Sequence, residues 1–237
     1  MALPETPAVW IAFIVCCLLA YFICGISSAH IIGRYFAHVD VRKVGSGNLG
    51  STNMVRAAGT KYGVITLLCD IAKAALAVGL GYLIIGWATG SGIEQITPGK
   101  PLDWLMACVY LCAVLGHIFS PYLHFKGGKG IAVGFGGAVV LAPWAGLALW
   151  IPFLIFAFIS KTISLGSIMA ALSLPFLMLF IYHPTLGFMI AVSLVAFVVI
   201  FSHRQNIVRL LKGEEKPFSF KKIATQDNTS KKRSTDT

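Results

Sequence analysis

The chain has 237 residues, 57% of them hydrophobic and only 12% charged, and its mean hydropathy is +0.81. A water-soluble globular domain does not reach such a value, so the sequence reads as an all-α integral membrane protein. The formal net charge of +10 is scattered over short segments between apolar runs and builds no single basic face, which argues against a nucleic-acid partner and for positive-inside topology.

In chain order, the first apolar run lacks a basic leader and a small-residue cleavage site, and reads as a retained helix. A spanning helix needs about 20 apolar residues. Residues 8–32, 62–88, 104–125, 165–182 and 185–202 each supply such a run. Residues 131–159 are apolar throughout but interrupted by Ala142-Pro143-Trp144-Ala145-Gly146. One kinked helix there gives six crossings, whereas two short helices joined by a turn give seven. Charge decides by parity. With seven crossings and the N-terminus outside, the inside segments hold seventeen of the nineteen Lys and Arg residues. With six, the basic C-terminal tail would lie outside, against the tendency of Lys and Arg to stay cytoplasmic. The expectation is therefore one seven-helix membrane domain over residues 1–212, with its C-terminus in the cytoplasm. A polar, basic, disordered tail is expected over residues 213–237. The six cysteines, Cys16, Cys17, Cys24, Cys69, Cys108 and Cys112, fall inside apolar runs with no Cys-x-x-Cys pair, and read as small buried hydrophobes. No internal repeat is visible, which weakens the competing reading as a small-anion transporter.

Three polar segments then face one side. The first is Gly45-Ser46-Gly47-Asn48-Leu49-Gly50-Ser51-Thr52-Asn53-Met54-Val55-Arg56. Its Gly-x-Gly-x-x-Gly pattern, with Asp70 about 20 residues on, formally matches a dinucleotide fingerprint. That fingerprint needs a preceding strand and a βαβ unit, and a membrane helix precedes it here. What survives is glycine-rich backbone able to offer N–H groups to an anion before a helix. The second is Gly116-His117-Ile118-Phe119-Ser120-Pro121-Tyr122-Leu123-His124-Phe125-Lys126-Gly127-Gly128-Lys129-Gly130, which sets two ammonium groups on a flexible loop suited to a phosphorylated molecule. The third runs from His203-Arg204-Gln205-Asn206 to Glu215, and helical spacing puts His203, Asn206 and Leu210 on one side. Asp70 and Lys73, three apart within a span, form either a local ion pair or part of the polar lining near the site.

Taken together, these motifs resemble the bacterial acyl-phosphate:glycerol-3-phosphate acyltransferases over about residues 8–215. The resemblance implies a bacterial inner-membrane enzyme of phospholipid synthesis with its site on the cytoplasmic side. It implies transfer of a fatty acyl group from acyl phosphate to the 1-hydroxyl of sn-glycerol 3-phosphate, giving lysophosphatidate and phosphate. No cofactor and no metal are implied, and an upstream acyl-phosphate-forming enzyme is a partner that the resemblance allows. Carried over position by position, the catalytic residues are Ser46, Arg56, Lys129, His203 and Asn206. The substrate-binding set is Gly45, Gly47, Asn48, Thr52, Asn53, His117, Lys126, Gly127, Gly128, Gly130 and Arg204, with Asp70 and Lys73 as polar lining. Departures from the family pattern are Ser51 in place of alanine, the run Ser120-Pro121-Tyr122, and Ser202 in place of lysine.

An absence agrees with this reading. Soluble-substrate glycerolipid acyltransferases use His-x4-Asp, and none of the six histidines is followed five residues later by aspartate. Neither a nucleophile elbow nor a metal-ligand cluster is present in the sequence. Acyl phosphate already carries a good leaving group, so Arg56 and Lys129 are expected to hold phosphate. The proton of the glycerol hydroxyl would pass to His203 or to the donor phosphate. The acyl chain is expected against Phe135, Leu141 and Phe153.

Overall fold

The computed structural model describes residues 3–218, and these are helical, with no strand among them. Helix α1 (Pro7–Gly25) starts on a proline at its first turn, where a missing N–H costs nothing. The expected 8–32 span breaks at Ile26, and Ser27 caps a short α2 (Ser28–Ile31) that runs into a π-helical turn, Ile32–Phe36. The break frees two carbonyls, and each finds a side-chain donor. Ser120 Oγ donates to Gly25 O at 2.6 Å and Lys73 Nζ donates to Ile26 O at 2.7 Å.

After α3 (Ser51–Ala58), α4 (Thr60–Ala88) is long enough to cross the apolar layer. Helix α5 (Asp103–Ile118) is the centre of the bundle, and its candidate span is 67% buried. Small residues let the neighbours close on it, as membrane packing requires. A Cβ on Gly116 would come 2.1 Å from Tyr21 O of α1, so only glycine fits that crossing. At the N-terminal end of α5 the buried Asp103 carboxylate accepts from Gly99 N at 2.9 Å, Thr185 N at 3.0 Å and the Thr185 hydroxyl. A carboxylate at a helix N-terminus is favoured by the helix dipole as well.

The interrupted stretch folds as a hairpin. Helix α6 (Ile131–Leu141) stops at Ala142, and α7 (Pro143–Ala148) turns back so closely that a Cβ on Gly146 would meet Val139 N at 2.6 Å. Tyr82 Oη donates to Leu141 O at 2.9 Å, and Trp144 N donates to Tyr182 Oη at 3.1 Å, so the turn is held from both sides. Helix α8 (Trp150–Ser160) continues α7, then come α9 (Ile163–Tyr182) and α10 (Leu186–Ser202), capped by Thr162 and Thr185. Helix α11 (Arg204–Leu211) leaves α10 at 58°. By length and hydropathy five helical stretches among the described residues can cross a membrane, or six when the bent α10–α11 pair counts as one. Helix α6 has 11 residues, about 16 Å at 1.5 Å each, short of a bilayer's apolar thickness.

Two sequence expectations change here. The 104–125 run is helical only to Ile118, because Ser120 and Pro121 turn the chain toward the break in α1. Of the cysteines, Cys16 and Cys24 are buried, while Cys69 is exposed on the bundle surface; all six are free thiols.

Candidate active site

The first polar segment wraps around one side chain. Asn53, 2% exposed, accepts from Ser46 N at 3.0 Å and donates to Val41 O and Val44 O at 2.9 and 3.0 Å. Its amide organises the loop and has no donor hydrogen left for a ligand. Gly45 and Gly47 take left-handed φ of 59° and 67°, which a β-carbon would strain. Helix α3 begins directly after Gly50 and carries Arg56 in its last turn. Arg56 makes no ion pair among the described residues.

The second segment closes the end of α5. Gly127 N and Gly128 N donate to Ile118 O and His117 O at 3.0 and 3.1 Å, satisfying carbonyls that a helix end leaves open. The backbone of Lys129 accepts from Ser202 Oγ at 3.0 Å, and its ammonium donates to Asn206 Oδ1. Burial lowers Lys129 from an ordinary 10.5 to about 8; Glu215 opposes this, and the neighbouring cations Arg209 and Arg56 add to it.

The 58° bend after α10 turns both functional groups of the third segment inward. His203 is 2% exposed and its Nδ1 donates to Val199 O at 2.8 Å, which leaves Nε2 as the acceptor. Burial and then Lys129 push the His203 imidazolium down to about 4, so the ring is neutral at pH 7. Asn206 donates from Nδ2 to Ser164 Oγ and to Glu215 Oε1, both at 2.7 Å. Arg209 Nε donates to Glu215 Oε2 at 2.6 Å. Burial works against the Glu215 charge, yet hydrogen bonds from Ser164, Arg209 and Asn206 outweigh it and hold the carboxyl below its usual range.

Glu215 falls in the stretch the sequence suggested would be a solvated tail. Its first residues instead fold back over the site, with Phe218 N donating to Lys161 O at 3.0 Å. Residues 219–237 lie outside the described residues. Glu215 closes the third motif in sequence but is given no role there, and Ser164 does not stand out. A lone serine opening an apolar helix and a glutamate among lysines carry no signal until the fold brings them to Asn206.

These groups border one cavity of about 400 Å³ between the α4–α6 wall and the α8–α9–α10 wall. At its polar end are Ser46, Asn48, Thr52, Asn53, Arg56, Asp70, His117, Lys129, Gly130, His203 and Asn206, with Ser164, Arg209 and Glu215. Its deeper lining is apolar. Phe135, Trp150 and Phe153 stack edge to face at 4.7 and 5.5 Å between centroids, joined by Leu67, Leu174 and Val195. Leu141, expected on this wall, is buried in the core instead. The fold does not bring every expected residue here. Lys126 is exposed and does not line the cavity, and Arg204 stacks over Phe201 at 4.8 Å while donating to Phe201 O. Gly45, Gly47, Gly127 and Gly128 shape the loops from behind, and Lys73 sits behind Asp70, 2.7 Å from its carboxylate. No group of three or more His, Cys, Asp or Glu side chains among the described residues is arranged to hold a metal ion.

Residues 14–213 match the family model described as glycerol-3-phosphate acyltransferase. A glycerol-3-phosphate acyltransferase of Trichlorobacter lovleyi is 40% identical over 200 residues, covering 84% of this chain and 94% of the relative. One from Acholeplasma laidlawii is 34% identical, covering 90% and 95%. Two crystal structures of PlsY, an integral membrane glycerol 3-phosphate acyltransferase, share the fold. The glycerol 3-phosphate form has a TM-score of 0.74 at 31% identity over 87% of this chain and 96% of that one. The lysophosphatidic acid form has 0.72 at 30% identity over 88% and 96%.

Proposed function

This chain belongs to the glycerol-3-phosphate acyltransferase family and is an acyltransferase; from that premise we propose that it moves a fatty acyl group from acyl phosphate to the 1-hydroxyl of sn-glycerol 3-phosphate. The products are lysophosphatidate and inorganic phosphate. One observation carries the reading: Arg56, Lys129, His203 and Asn206, from three distant segments, meet at the polar end of a cavity whose depth is apolar. Cations at one end suit phosphate, and an apolar floor suits a fatty chain.

In the proposed reaction the hydroxyl oxygen attacks the acyl carbonyl carbon, and the bond from that carbon to the bridging phosphate oxygen breaks. Phosphate leaves with the electron pair. Arg56 and Lys129 hold phosphoryl oxygens, and Ser46 with the α3 loop orients them, so reactants are gathered in line before charge develops. His203 Nε2 accepts the hydrogen bond of the attacking hydroxyl. A ring held at about 4 is a weak base at neutral pH, and the departing phosphate is the stronger one, so the proton finishes on phosphate.

The topology that goes with this reading has seven crossings, α6 included, with the N-terminus outside and the cavity's polar end in the cytoplasm of a bacterial inner membrane. The α6–α7 hairpin supports it, as do the seventeen Lys and Arg residues that fall in the segments assigned to that side. The purified protein in detergent, given acyl phosphate and radiolabelled glycerol 3-phosphate, should form labelled lysophosphatidate. Label taken up into vesicles without acylation would favour a small-anion transporter instead.

A further inference from the structure

Three polar groups take no part in the reaction as written above: the buried Asp70 and half-buried Lys73 on α4, and the buried His117 at the end of α5. Asp70 is 1% exposed and His117 5%. Asp70 Oδ1 accepts from Ser28 Oγ at 2.8 Å and from Lys73 Nζ at 2.7 Å. The other two ammonium hydrogens of Lys73 go to Ile26 O at 2.7 Å and to His117 Nδ1 at 3.1 Å. Lys73 is a donor only, so Nδ1 must be the acceptor in that contact. A neutral imidazole that accepts at Nδ1 carries its hydrogen on Nε2.

The Nε2 edge lies against the glycine loop, since a Cβ on Gly128 would come 2.2 Å from that nitrogen. The His117 carbonyl anchors Gly128 N, the residue before Lys129. The ring borders the cavity, and its Nε2 has no hydrogen-bond partner among the described residues. The cluster behind it adds no net charge, because Asp70 balances Lys73. What it delivers to the cavity is one N–H dipole of fixed direction. In a water-poor site such a donor acts more strongly than in bulk water.

We infer that His117 donates its Nε2 hydrogen to a phosphoryl oxygen of a bound substrate beside Gly128, and that Asp70 and Lys73 are positioning residues that lock the ring in this tautomer. The inference rests on the acyltransferase reading, in which both substrates carry a phosphoryl group.

The test is steady-state kinetics on purified wild type, His117→Leu, His117→Gln and the Asp70→Asn/Lys73→Met double variant, varying each substrate separately and recording each Tm. The leucine variant should raise the KM for one substrate about tenfold or more, with kcat within about threefold, as expected for losing a hydrogen bond to a charged group. Glutamine, whose amide N–H can stand in for Nε2, should bring that KM back to within about threefold of wild type. The double variant removes the lock without stranding a buried charge and should raise the same KM by about three- to tenfold. It carries the test if the leucine variant does not fold. The substrate whose KM moves identifies which phosphoryl group His117 meets. Unchanged KM values in the leucine variant, equal KM values in leucine and glutamine, or a fall in kcat alone would overturn the proposal. Were wild type to form no lysophosphatidate, the acyltransferase reading would fail separately. Inorganic phosphate should still raise the Tm of wild type more than that of His117→Leu, and equal shifts would overturn the proposal.

Discussion

The Lys129 ammonium donates to Asn206 Oδ1 across 77 residues of sequence. That bond joins the glycine–lysine loop to the bend after α10 and sets the distance between His203 and the charge proposed to receive phosphate. It also ties Lys129, through Asn206, to Ser164 and Glu215.

Lys129 must be charged to hold phosphate, and burial brings it down to about 8. Its folded value is below that of a free lysine, so it loses its proton earlier as pH rises. The kcat/KM for glycerol 3-phosphate should fall through pH 8, well short of the 10.5 of an ordinary lysine. Lys129→Arg, which stays charged, should lose that alkaline limb while lowering kcat/KM through its different geometry.

His203 is neutral above about pH 4, and its proposed role is that of an acceptor. His203→Ala should lower kcat by about 10²-fold, toward the lower end of the range for a positioned acid–base group. The shape of the pH–rate profile between pH 5 and 9 should survive the change. An acid limb that vanished with the imidazole would make His203 the base.

Glu215 orients Asn206 and Arg209 together. Glu215→Ala should lower kcat/KM by about tenfold or more, and adding Asn206→Ala should cost far less than it does in wild type, because contacting residues are not additive. Fully independent losses in the double-mutant cycle would separate the two residues.

Asp103 lies at the opposite end of α5 from His117 and receives three hydrogen bonds with no group of the cavity among them. Asp103→Ala should cost about 3 kcal/mol, and about 6–12 °C in Tm. The KM of each substrate should stay at the wild-type value, which a thermal melt and a kinetic run on one preparation would check.

Much of this was readable before any coordinates. A lipid solvent imposes runs of about 20 apolar residues, so α4, α5, α9 and α10 showed in the sequence. The polar motifs stood out because glycine, asparagine and cations have no place in such runs. Direction was not readable. Lys126 and Lys129 are alike in sequence, yet only Lys129 is turned inward, because Ser202 and Asn206 hold its backbone and its ammonium. The break at Ile26 was hidden because its freed carbonyls are satisfied by Lys73 and Ser120, 47 and 95 residues away from the carbonyls they serve. The choice between ion pair and polar lining for Asp70 resolves into both, since it pairs with Lys73 and borders the cavity.

The central claim is that phosphate is the leaving group and that acyl transfer is direct. The measurement is lysophosphatidate and inorganic phosphate counted in one reaction, with acyl phosphate, acyl-CoA or acyl carrier protein as donor to glycerol 3-phosphate. Equal amounts of the two products from acyl phosphate, and none from the thioesters, is the predicted result. Lysophosphatidate formed from a thioester, or formed without matching phosphate, would contradict it.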